Sequence, residues 1–179
     1  MEEKLIEYLK KHDYFEVMPI RTEQIKITED VRKACEDNLC GHYGKNYMCP
    51  PSVGNLEHYR EVIGSYEKGL LFSKVYPLKN RMDYNNMVLY GANFRKDSQT
   101  VQREIREMNL DCLFFSAGTC SICKKCAILT EEPCRFPNDT IPSLEASGID
   151  VVRLTMDVGL KYNNGADTVT YIGLMLYKD

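Results

Sequence analysis

Polar and apolar positions along the chain follow two periods. In residues 2 to 12, Leu5, Ile6, Tyr8 and Leu9 share one side of a charged segment, which predicts an amphipathic helix. Tyr14 to Ile20 predicts a short strand. Thr28 is a capping residue type and predicts a helix through Glu36, with Val31 and Ala34 turned inward. Asn55 opens another helix, carrying Leu56, Tyr59, Val62 and Ile63 at helical spacing. The run GLLFSKVYPL predicts a strand that ends at Pro77. Residues 82 to 93 and 98 to 109 predict two helices, the second capped by Ser98. CLFFSAG reads as a short, largely apolar strand, and Ser143 caps a single turn closed by Gly148. Asp150 and Gly159 bracket a helix with Val151, Leu154, Thr155 and Val158 on one face; its β-branched residues leave a strand as the alternative. TVTYIGLMLY predicts the final strand. This alternation predicts an α/β fold: a single layered domain over residues 1–179, a mixed β-sheet covered by helices.

Two segments break the periodicity. CEDNLCGHYGKNYMCPPSVGN, starting at Cys35, is rich in glycine and asparagine and carries adjacent prolines, so it reads as a loop. The segment from Cys120 to Cys134 follows the CLFFSAG strand. The two loops follow different elements, and the α/β pattern allows both to reach the same end of the sheet.

Composition narrows the function classes. Hydrophobic residues make up 44% and charged residues 27% of the 179, a globular balance. No apolar run approaches the roughly 20 residues of a membrane span. The N-terminal segment lacks the apolar core and cleavage site of a signal peptide, so a cytoplasmic protein without a membrane partner is expected. Net charge is −3 and basic residues are interspersed with acidic ones, which argues against a nucleic-acid partner. The charges read as a solvated face.

The eight cysteines change the picture most. A chain of this size in a reducing compartment does not keep eight thiols as structural disulfides. They fall in two groups: Cys35, Cys40 and Cys49, then Cys120, Cys123, Cys126 and Cys134, with Cys112 apart. Clustering of this kind points to metal ligation. Structural zinc sites usually pair two knuckles of two ligands each. CSICKKC followed by Cys134 offers three thiols from one run and one from farther along, the habit of [4Fe-4S] ligation. The fourth cysteine comes after seven residues, a gap of about 28 Å when extended, so a compact return is easy. The pattern differs from a ferredoxin repeat, in which the fourth cysteine comes sooner and precedes proline. Zinc is the alternative metal.

The first group lacks a fourth cysteine. His42 or Cys112 is a candidate for that position; otherwise it is open to water or substrate, as in catalytic metal sites. Cys112 opens an apolar strand and is read as a core residue, and His42 as a solvated loop histidine. Lys45, Lys124, Lys125 and Arg135 flank the groups, either as counter-charges or as ordinary surface. Tyr43 and Tyr47 are read as packing residues. There is no glycine-rich phosphate loop, no nucleophile elbow and no clear acid–base pair.

CGHYGKNYMCPP, GTCSICKKCAILTEEPCRFP and the following PSLEASGIDV together resemble the cysteine-rich family of predicted metal-binding proteins of unknown function, found mainly in anaerobic microbes. VTYIGLMLY is similar to that family's terminal strand, and the match runs from about residue 14 onward. Carried over by position, the resemblance implies Cys35, Cys40, Cys49, Cys120, Cys123, Cys126 and Cys134 as ligands. It implies metal binding and a place in anaerobic metabolism, and it supplies no reaction.

The sequence therefore leads to an iron-sulfur protein with one or two [4Fe-4S] clusters, acting in electron transfer to a redox partner protein. A rival reading is an enzyme whose three-cysteine cluster uses an open iron as Lewis acid on a small-molecule ligand. A third is a structural zinc-binding interaction module. Homodimerisation is compatible with all three.

Overall fold

The computed structural model describes residues 1–178. Its centre is a pair of ten-residue strands, β2 (Lys68–Pro77) and β4 (Thr168–Tyr177), paired antiparallel along their whole length from Lys68 opposite Tyr177 to Pro77 opposite Thr168. β1 (Glu16–Arg21) adds to the outer side of β2, and β3 (Cys112–Phe115) adds to β4, giving the order β1-β2-β4-β3. Both faces are covered, so side chains of the central strands point alternately into two cores. Leu71, Ile172, Leu174 and Leu176 face one core, with Tyr59, Ile63 and Leu154. Leu70, Phe72, Met175 and Tyr177 face the other, with Leu5, Leu9, Phe94 and Ile105. Burial on both faces explains why these strands read as unbroken apolar runs.

The helices behind these cores are α1 (Glu2–Lys11), α2 (Glu29–Glu36), α3 (Leu56–Gly64), α4 (Tyr84–Glu107) and α5 (Val151–Val158). Three start at the side-chain caps that the sequence predicts. Thr28 Oγ1 accepts from the Val31 amide at 3.3 Å, Asn55 Oδ1 from His58 at 2.8 Å, and Asp150 Oδ1 from Arg153 at 3.0 Å. Gly159 ends α5 at φ +76°, a left-handed cap that favours glycine, so the helical reading of 151–158 holds over the strand.

The α/β layering agrees with the sequence reading, but three details differ from it. Among the described residues, all three strand pairs are antiparallel rather than mixed, and parallel pairing is confined to one isolated bridge, Ser116 with Ser143. β2 and β3 do run the same way, joined by α4, but β4 inserts between them and pairs with both, a split β-α-β unit. The two helices predicted over 82–109 are one helix of 24 residues. Gly91, Phe94, Ser98, Val101 and Ile105 form its continuous buried stripe, and the Ser98 hydroxyl donates to Phe94 O at 2.9 Å inside the helix instead of capping a new one. In α2 the buried residue is Arg32, while Ala34 is exposed and Val31 only half-buried. Among the described residues no helix is long and apolar enough to cross a membrane.

Candidate metal centre

The loop from Cys35 to Asn55 leaves α2 and returns as α3. Its two ends are tied down by Arg32, whose guanidinium donates to Ala146 O and Gly54 O and lies 3.6 Å from Glu36. These bonds pin the loop to the Ser143–Gly148 turn, where Ser143 Oγ accepts from Ala146 N at 2.9 Å. Cys35 is half-buried in the last turn of α2, Cys40 is exposed and Cys49 is buried. All three line one cleft of about 440 Å³. His42 joins them from the same loop, Met87, Val88 and Arg95 from α4, Glu145 from the turn, and Tyr171 from β4.

The second loop starts where β3 ends. Cys120, Cys123, Cys126 and Cys134 are all half-buried and line a separate small cavity of about 20 Å³, with Met48, Ile122 and Phe136 among its walls. A short 3-10 turn, Ala127–Thr130, follows Cys126 and carries Ala127, the buried side chain of this loop. Arg135 donates to Lys125 O at 3.1 Å and to Glu132 at 2.9 Å. Glu132 and the Cys123 thiol both raise the Arg135 pKa.

The two loops touch. Buried Asn46 donates to Cys49 Sγ at 3.2 Å and to Thr119 Oγ1 at 2.6 Å, and it also borders the second cavity. Tyr47 Oη donates to Glu132 O at 2.7 Å. Arg95 Nε donates to Ser121 Oγ at 3.2 Å while its side chain lines the first cleft. Both cysteine loops therefore meet at the end of the sheet reached by β3, which the α/β pattern allowed but did not require.

Burial favours the neutral thiol at Cys35 and at Cys120. Burial pushes the Cys35 thiol up to about 11, and Glu145, Cys40 and Cys49 add to the shift. Burial also raises Cys120, with Cys126, Cys134 and Cys123 contributing. Burial holds the Glu145 carboxyl above the usual carboxylate range. A soft metal cation reverses this balance by stabilising thiolates. The donors thus fit a thiolate-bound metal in kind. They line cavity walls rather than converging on a point, and among the described residues no set of three or more His, Cys, Asp or Glu forms a ready-made metal site.

Cys112 lies at the far end of β3, opposite Tyr177, packs against the core of α1 and α4 and lines neither cavity. His42 lines the first cleft but is exposed, as are Lys45, Lys124, Lys125 and Arg135. Sequence reasoning missed Arg95, Asn46, Thr119 and Glu145. Arg95 and Glu145 lie on elements far along the chain from the loop they face, and Asn46 sits among other turn formers.

Fold and site define a thiol-rich α/β protein with two cysteine-lined cavities side by side. A family model, "Predicted metal-binding protein (DUF2284)", matches residues 18–177, and the chain belongs to that family. Comparison with curated proteins and with solved structures returned no match.

Proposed function

We propose that this metal-binding protein is an iron-sulfur protein with one or two [4Fe-4S] clusters that passes electrons to a partner enzyme. Cys120, Cys123, Cys126 and Cys134 would hold one centre with four thiolates. Cys35, Cys40 and Cys49 would hold the other, with one position left to an exchangeable ligand. When bound, such a centre supplies one-electron redox capacity and, at an iron without a protein ligand, Lewis acidity. The observation that carries the reading is the adjacency of the two thiol sets, bridged by Asn46, which donates to Cys49 and lines the second cavity. Its amide donates to the Cys49 sulfur, a hydrogen bond of the kind that tunes redox potential. Met48, Ile122 and Phe136 put apolar wall beside the second set, and the exposed Lys124 and Lys125 offer a positive face to an acidic partner.

One observation favours a second reading. A cavity of about 20 Å³ takes a single ion as it stands, and four thiols around one ion make a closed zinc site. A cluster at that site requires the irregular loop to open outward. Anaerobic purification followed by iron, acid-labile sulfide and zinc assays separates the two. The expected result is brown protein with about four irons and four sulfides per cluster. Stoichiometric zinc without sulfide, from iron-replete cells, would end the iron-sulfur reading and leave a structural zinc module.

A further inference from the structure

Arg95 lies beside the first group of cysteines. It sits on α4, half-buried, and its Nε donates to Ser121 Oγ at 3.2 Å. No carboxylate of the described residues is within ion-pair distance of it. Glu145 lines the same cleft but is not paired with it. A guanidinium carries five N–H donors in a planar fork, and one hydrogen bond to a hydroxyl leaves most of that capacity directed at the cleft.

Two glycines make room for the fork. At Gly118, where φ is +71°, an added Cβ would fall 2.9 Å from Arg95 Nη1. At Gly91, one turn before Arg95 on the same helix, it would fall 3.3 Å from Nη1 and 3.1 Å from the Tyr171 hydroxyl. A glycine inside a helix costs about 1 kcal/mol relative to alanine, so its presence beside the guanidinium calls for a local reason.

The rest of the lining narrows the anion. Arg95 is the one permanent cation among the residues of the cleft. One positive charge matches a monoanion better than a phosphate dianion. A planar carboxylate fits the fork with two parallel hydrogen bonds. Met87, Val88 and Pro50 supply apolar wall, with Val88 72% exposed near solvent. We infer that the cleft binds a small organic monocarboxylate, its carboxylate on Arg95 and its apolar part against Met87 and Val88. The Arg95 anchor stands on the cleft alone; that the bound molecule also faces a metal on Cys35, Cys40 and Cys49 rests on the function proposed above.

Calorimetric titration of the anaerobically purified full chain, at low salt, tests this with benzoate and butyrate against benzamide and inorganic phosphate. The carboxylates should bind, with benzamide and phosphate weaker by about tenfold or more, the worth of a charge-assisted hydrogen bond. Arg95→Gln should weaken benzoate by about tenfold or more, with Arg95→Lys intermediate. Val88→Asp, at an exposed position that tolerates the change, should weaken benzoate through like-charge repulsion. Iron, sulfide and zinc are measured on the same samples. Failure of benzoate to bind, equal binding by Arg95→Gln, or phosphate binding tighter than benzoate overturns the inference. So does loss of metal from Arg95→Gln, since Arg95 would then serve the second cysteine loop. If Arg95→Gln does not fold, Val88→Asp decides, and unchanged benzoate affinity there overturns it. Protein that binds benzoate through Arg95 but carries no metal counts against the metal reading alone. Metal-replete protein that ignores benzoate counts against the Arg95 subsite alone.

Discussion

Arg32 and Asn46 are buried polar side chains on a chain whose remaining core is mostly apolar, and each finds partners across the loops. Arg32 satisfies two backbone carbonyls, Ala146 O and Gly54 O, that its removal would leave without a donor. Asn46 uses both ends of its amide, accepting from Met48 N at 2.9 Å and donating to Cys49 and Thr119. Cys112 differs, because burial, with the Asp111 carboxylate adding to it, lifts its thiol from 9.0 to about 12. A group that holds its proton more tightly when folded stabilises the fold fully below its unfolded pKa, and that contribution is lost as pH rises through the folded value. Wild-type stability should therefore fall between pH values of about 9 and 12. Cys112→Ala, less stable at neutral pH through lost packing, should fall less steeply over that window. Urea midpoints of the reduced proteins at about pH 8 and pH 10.5 measure the two slopes. Parallel slopes would mean that the thiol titrates as freely in the folded chain as in the unfolded one.

At the scale of elements, α4 is where local preference and tertiary packing disagree. Serine favours helix starts because its hydroxyl competes for backbone groups, and a start at Ser98 is the local expectation. The apolar stripe overrides it, since Phe94 and Val101, on either side of Ser98, are both fully buried. Ser98→Ala should then change stability by less than about 1 kcal/mol, because a helix-interior serine is neutral to unfavourable and its contact with Ser116 Oγ, at 3.4 Å, is long. Phe94→Ala should cost about 3–5 kcal/mol, as expected for a fully buried aromatic. Urea denaturation of both variants is the measurement, and a Ser98→Ala loss as large as that of Phe94→Ala would place a helix start at residue 98.

For the whole molecule, the contrast is between a two-sided sheet and two loops with little to hold them. Of residues 118–138 only Ala127 is buried, and Cys40, His42, Gly44 and Lys45 in the first loop make few or no burial contacts. Fixing such segments costs about 1–2 kcal/mol per residue in backbone entropy, and ligand bonds to a metal offset that cost. Removal of metal by chelation should raise hydrogen exchange in residues 35–54 and 118–138 first. Amides of β2 and β4, buried on both faces, should stay protected. Equal protection of the loops with and without metal would show that Arg32, Asn46 and Tyr47 suffice to hold them.

By itself the sequence determined whatever depends on neighbours along the chain. The apolar runs marked β2 and β4, side-chain caps marked the starts of α2, α3 and α5, and the broken periodicity of two segments marked the cysteine-bearing loops. These signals are local, because period and capping act over a few residues. What only tertiary structure decided depends on residues distant in sequence. It inserted β4 between β2 and β3 and made the sheet antiparallel, since strand order is set by which edges remain to be paired. It fused two predicted helices through a stripe that faces the core, and it buried Arg32 where apolar residues were expected. It also brought Arg95, Glu145 and Tyr171 to the cleft beside Cys35, Cys40 and Cys49. Such neighbours share no periodicity with the loop they face, so only the packing of α4, β4 and the Ser143–Gly148 turn around one end of the sheet could assemble them.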